Sequence, residues 1–122
     1  MIDKELTYAV IGASNNPEKY GHKVLKDLLD GGYRVIPINP KGGEILGLRV
    51  YSDITSVPDK IDWLVFATQP EITVKLLPEA LQAGIKNVWL QPGSESAPAI
   101  KFCQDNNLNC IHNACIMIAR KN

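Results

Sequence analysis

Gly12-Ala13-Ser14 stands at the end of an apolar run, and Gly21 follows after an insertion that contains Pro17. Residues this small let a backbone approach a ligand closely, and a loop of them feeding a helix aims free N–H groups at one point, which suits a phosphate. The pattern departs from the dinucleotide fingerprint, because Ser14 replaces the second glycine and Gly21 arrives late. A tight strand-to-helix turn with no ligand would use the same residues. A second signal lies at Asn39-Pro40-Lys41. A NAD site delivers an Asp or Glu here to the ribose hydroxyls, whereas this chain offers Lys41, a cation suited to a phosphate on the ribose. A solvated loop lysine is the plainer account. The third signal is Cys115 with His112 close by, since an imidazole can hold a neighbouring thiol as thiolate. A buried, inert small hydrophobe is the alternative. His22 reads as a phosphate donor at the first helix or as a half-exposed helix residue. Glu18, Glu71 and Glu95 fall in ligand-side loops, but nothing in their spacing pairs them as acid and base.

These residues need elements to hold them. Tyr8 to Ile11 has the length of a buried strand, and Val24, Leu25, Leu28 and Leu29 recur at helical spacing from about Tyr20 onward. Gly31-Gly32 stops that helix. Tyr33 to Pro40 reads as a second strand, with Pro37 awkward anywhere but an edge or a bulge. Glu44 to Pro58 is too irregular for a long helix and reads as a loop with a short extended or helical piece, in which Asp53 or Ser52 caps a turn. Ile61 to Thr68 is apolar on both faces, as a central parallel strand must be. It runs into Gln69-Pro70-Glu71, where Pro70 suits a helix start. Ile72, Leu76, Ala80 and Ala83 mark that helix, with Pro78 as a kink or interruption. Asn87 to Gln91 forms a fourth strand, Pro92 to Ser96 a loop, and Ala99 to Gln104 a third helix. Asn109 to His112 makes a fifth strand, after which Cys115 to Ala119 and a fraying tail of Arg120, Lys121 and Asn122 end the sequence.

Strands alternating with helices predict an α/β fold: one Rossmann-type, doubly wound parallel sheet of about five strands, order 3-2-1-4-5, with helices on both faces. Residues 1–122 are expected to form one domain. In such sheets ligands bind beyond the carboxyl ends of the strands, where the strand order reverses, and that rule gathers the loops at Gly12, Asn39, Thr68 and Gln91 around one crevice.

Lys plus Arg and Asp plus Glu are equal at 13 each, so the net charge is zero. With no basic segment, nucleic acid is not expected as a partner. No apolar run reaches membrane-spanning length, and Asp3, Lys4 and Glu5 interrupt any signal-peptide core, so a cytoplasmic protein is expected. Cys103, Cys110 and Cys115 are odd in number and lack metal-type spacing, which supports neither a disulfide framework nor a metal site.

Taken in order, several stretches resemble the small CoA-binding domain family, whose fold is also that of the N-terminal domain of the succinyl-CoA synthetase alpha subunit. They are Val10-Ile-Gly-Ala-Ser14 with Pro17, Lys19 and Gly21; Gly32-Tyr33 leading to Pro37-Ile-Asn-Pro40; Gly47 with Tyr51; Ile61-Asp62; Pro70-Glu71; Gly84-Ile-Lys; and Val88-Trp-Leu-Gln91 with Gly93. The resemblance covers nearly the whole chain. It implies that Gly12, Ala13 and Ser14, helped by Tyr20 and Gly21, hold the pyrophosphate of coenzyme A. It implies that Asn39, Pro40 and Lys41 face the ribose and its 3′-phosphate, that Thr68, Gln69 and Pro70 line the adenine side, and that Gln91, Pro92 and Gly93 line the pantetheine arm. Family members often carry Asp-Arg-Cys, an apolar run and then Glu, where this chain has Asn113-Ala114-Cys115 and Ala119.

Three functions follow as expectations. The first is non-catalytic binding of coenzyme A or an acyl-CoA, since the synthetase's phosphorylated histidine belongs to a second domain that these residues do not include. The second is an NAD- or NADP-binding redox or nucleotide sensor. The third is a small enzyme acting on a CoA thiol or thioester through Cys115. Apolar residues near Trp89 or at Ile116-Met117-Ile118 would form a homodimer surface or finish the core.

Overall fold

A computed structural model describes residues 2–121. Its elements in order are β1 (Thr7–Ile11), α1 (Tyr20–Asp30), β2 (Arg34–Ile38), β3 (Glu44–Ile45), β4 (Leu48–Arg49) and a 3-10 turn (Ile54–Ser56). Then come β5 (Trp63–Phe66), α2 (Pro70–Gln82), β6 (Asn87–Leu90), α3 (Ala97–Asp105), β7 (Asn109–Ile111) and α4 (Ile116–Ala119). Five strands form a parallel sheet in the order β2-β1-β5-β6-β7, and β3 pairs with β4 as a separate antiparallel hairpin.

The sheet is covered on both faces, as the expected α/β class requires. Alternation along each strand assigns the layers: Tyr8, Val10, Trp63, Val65 and Trp89 pack with Val24, Leu25 and Leu28 of α1 and Ile116 of α4. Ala9, Ile11, Leu64, Phe66, Val88 and Leu90 pack with Leu77 and Ala80 of α2 and Ala99 and Cys103 of α3. Every residue of β1 and β5 is buried, which explains why these strands read as continuous apolar runs. A fully buried Leu, Val or Phe stabilises by about 1.5–3 kcal/mol, and a one-residue slip would exchange the two faces, so the register is firmly set. Trp89 and Ile116 belong to this core, while Ile118 is 65% exposed.

The strand order departs from expectation. In a five-strand count it is 2-1-3-4-5, because β5 pairs with β1 and not with β2. Pro37 supplies the physical reason. Its carbonyl accepts from Tyr51 N on the outer side of β2, and a residue's N–H and C=O point to the same side of a strand, so the missing donor falls on the edge. An outer strand there would lack a ladder bond. The connection from β2 to β5 therefore turns back. Its hairpin buries Ile45 and Val50 on the α1 face, and its 3-10 turn buries Ile54 on the α2 face. Asp53 caps that turn by accepting from Ser56 N at 2.8 Å, in line with the sequence.

Two smaller expectations change. Ile72 is exposed while Thr73, Leu77 and Ala80 are buried, so α2 is rolled from the predicted stripe, and it runs through Pro78 without ending. Thr73 fixes the roll by bonding the Thr68 hydroxyl at 2.7 Å. The expected fraying tail also divides. Arg120 forks onto Asp27 with Nε–Oδ2 at 2.6 Å and Nη2–Oδ1 at 3.1 Å, which ties α4 to α1, while Asn122 lies outside the described residues. Among the described residues no helix is long and apolar enough to cross a membrane.

Candidate functional site

The sheet reverses between β1 and β5, since α1 leaves β1 on one face and α2 leaves β5 on the other. At that point the loops after the two strands touch. Gly12 has φ +92°, and a Cβ there would overlap the Ala67 carbonyl. A Cβ on Gly21 would likewise overlap the Gly12 carbonyl, so the first turn of α1 sits directly on the loop. Polar clamps hold the loop in place. Asn39 Nδ2 donates to the Ala13 carbonyl at 2.7 Å, and the buried His22 places Nδ1 2.7 Å from the Ser14 carbonyl. A carbonyl only accepts, so Nδ1 carries the proton. His22 is thus buried, and its Nδ1 is committed to the loop.

A crevice of about 420 Å³ opens here, lined by Gly12, Ser14, Lys19, Tyr20, Gly21, Ala67, Thr68, Gln69, Pro92, Gly93 and Ser94. Lys19 is the N-cap residue of α1 and makes no side-chain cap bond; its carbonyl accepts from His22 N and Lys23 N, while Tyr20 and Gly21, the first two residues of this eleven-residue helix, line the crevice. A smaller hollow of about 280 Å³ is formed by Ser14, Asn15, Asn16, Asn39, Lys41, Gly42 and Ile45. The two share Ser14 as a common wall. Lys41 is exposed, and its backbone N–H donates to Asn39 Oδ1 at 2.9 Å, so one asparagine orients both the glycine loop and the lysine turn.

Most of the residues singled out in the sequence line one of these two spaces: Gly12, Ser14, Tyr20, Gly21, Thr68, Gln69, Pro92 and Gly93 the first, Asn39 and Lys41 the second. Ala13 is buried and contributes its carbonyl. Pro40 is exposed beside the hollow, and Pro70 is the first residue of α2. Gln91 is completely buried. Its side chain reaches Tyr20 Oη at 2.9 Å, Cys115 Sγ at 3.5 Å and, through Oε1, Ile116 N at 2.9 Å. Lys19 and Ser94 were missed as site residues. Lys19 had a signal, its place just before the helix; Ser94 had none, for its hydroxyl accepts from Thr68 N across two loops at 3.0 Å.

Cys115 meets Tyr20 Oη at 3.2 Å, so its hydrogen-bond partners are Tyr20 and Gln91 where the sequence suggested His112. Burial pushes the thiol up, but hydrogen bonds from Tyr20, Gln91 and the backbone of Met117 and Ile118 outweigh it, and the net direction is down. The Tyr20 phenol goes the other way, raised by burial and by the Cys115 sulfur. All three cysteines are free. Among the described residues no group of three or more His, Cys, Asp or Glu is placed to hold a metal ion.

The five-stranded parallel sheet with a crevice at its switch point defines a Rossmann-like α/β domain, and comparison gives the class: residues 6–121 match the CoA binding domain family, to which the chain belongs. Among its relatives is YneT of Bacillus subtilis (strain 168), an uncharacterized protein 27% identical over 119 residues, spanning 98% of this chain and 88% of that one. The alpha subunit of an ADP-forming acetate–CoA ligase I of Pyrococcus furiosus is 37% identical over 86 residues, which are 66% of this chain and 19% of the subunit. The solved structure of a conserved hypothetical protein from Pyrococcus furiosus superposes with a TM-score of 0.90 at 38% identity, covering 93% of this chain and 98% of that one. The family match gives an NAD- or NADP-binding reading no support.

Proposed function

We propose that this domain binds coenzyme A or an acyl-CoA without transforming it. The observation that carries this reading is the sharing of Ser14 between the Gly12 crevice and the Lys41 hollow. Backbone amides at the start of α1 and Lys19 then face a diphosphate, and Lys41 faces a third phosphate on the ribose. The turn after β2, Asn39-Pro40-Lys41, contains no carboxylate for bare ribose hydroxyls, which favours a nucleotide whose ribose is phosphorylated. The chain's membership of the CoA-binding family supports coenzyme A in preference to NADP. Gln69, Thr68, Pro92 and Gly93 border the remaining length of the crevice and would receive the adenine and the pantetheine arm.

Calorimetric titration with CoA, acetyl-CoA, NADH and NADPH tests this directly. CoA and acetyl-CoA are expected to bind with similar affinity and the nicotinamide nucleotides at least tenfold more weakly. Tighter binding of NADPH than of CoA would overturn the reading, and so would turnover of acetyl-CoA by the isolated protein.

A further inference from the structure

Gln91 is a polar side chain in a fully buried place, and its hydrogen bonds have only one consistent polarity. The Ile116 N–H can only donate, so the atom it meets at 2.9 Å must be Oε1. That turns the Nε2 group toward Tyr20 Oη, 2.9 Å away, and toward Cys115 Sγ at 3.5 Å. Tyr20 therefore accepts from Gln91, and its own proton is free to reach the sulfur at 3.2 Å. In that arrangement the sulfur is surrounded by donors from α1, from the end of β6 and from the start of α4. Tyr20 meanwhile forms part of the crevice wall.

We propose that Gln91 is a positioning residue: the fixed direction of its amide turns the Tyr20 hydroxyl away from the crevice and onto the Cys115 sulfur, so that one proton chain links the crevice wall to that sulfur. The charged groups around the chain are few. Glu95, in the loop after β6, accepts from Gly93 N and acts on Tyr20. Arg120, at the far end of α4, is held by Asp27, which also faces Lys121. His112 lies three residues before Cys115 with Nδ1 buried and without a hydrogen-bond partner among the described residues. None of these replaces the Gln91 donors. As a consequence that rests on the CoA reading, a ligand pressed against Tyr20 is felt at Cys115.

The test is the pH profile of Cys115 alkylation by iodoacetamide, read at that residue by peptide mass spectrometry. Gln91→Glu keeps the acceptor for Ile116 N and replaces the donor with an acceptor. In folded protein it is expected to lower the alkylation rate at pH 7 about tenfold and move the profile upward by about one unit. Tyr20→Phe, at a half-exposed position, removes the second donor and is expected to move the profile the same way, which decides the matter if Gln91→Glu does not fold. Profiles unchanged from wild type in whichever of these variants fold would overturn the proposal. Saturating CoA is expected to change the wild-type rate at least threefold. If both variants shift the profile but CoA does not bind, the CoA reading fails and the role of Gln91 stands.

Discussion

The side-chain amide of Asn39 donates to the Ala13 carbonyl at 2.7 Å while its oxygen accepts from Lys41 N at 2.9 Å, so one residue at the end of β2 orients both halves of the candidate site. Asn39→Ala removes both bonds at a partly buried position. The expected cost is about 1–3 kcal/mol in urea denaturation, with CoA affinity reduced in the same variant. Unchanged affinity in a destabilised variant would show that the two loops do not need this clamp to bind.

Gly21→Ala probes the closest approach in the fold. The added carbon overlaps the Gly12 carbonyl, which belongs to a backbone pinned by Ile38 and by its own β1 strand. Neither backbone has a soft direction in which to yield. A loss of about 1–3 kcal/mol is expected, and CoA binding should fall more than in a control such as Lys75→Ala at an exposed position of α2.

Alkaline stability follows from two phenols. Burial raises Tyr8, and burial together with the Cys115 sulfur raises Tyr20. A group whose folded value lies above its unfolded value of about 10 gives up its proton first in the unfolded chain. Its stabilisation is complete below pH 10 and is lost as the pH rises beyond that. Urea midpoints are expected to fall as the pH rises above about 10, and Tyr8→Phe should flatten part of the fall. A wild-type midpoint that stays level above that pH would contradict the shifts.

How much of this was legible in the sequence depended on how local the cause was. β1, α1 and β5 declared themselves because their apolar runs are buried on both faces or on one stripe, and Gly12 and Gly21 marked the close approach. The order of the strands did not, because the link from β2 to β5 holds only a short hairpin and a 3-10 turn and no α-helix to betray its path. Pro37 carried the clue, since it is tolerable only with its nitrogen facing an edge. Leu46 was invisible as a turn residue: its φ of +52° sits before Gly47 at +79°, a hairpin turn with a leucine where glycine or asparagine is usual. Gln91 read as the start of a ligand loop, because a buried amide is recognisable only once Tyr20 and Ile116 are seen beside it. Arg120 was hidden for the same reason, its partner Asp27 being 93 residues away in sequence.

In the proposed seat of the ligand, Lys41 would carry the choice of nucleotide. The most direct measurement compares CoA with 3′-dephospho-CoA in wild type and in Lys41→Ala. Contact between the lysine and the ribose phosphate is worth about 1.5–3 kcal/mol, so wild type should prefer CoA by about tenfold or more, and the variant should bind the two alike. If wild type binds both equally, or if the preference survives in Lys41→Ala, the phosphate does not lie against Lys41 and the proposed seat of the nucleotide is wrong.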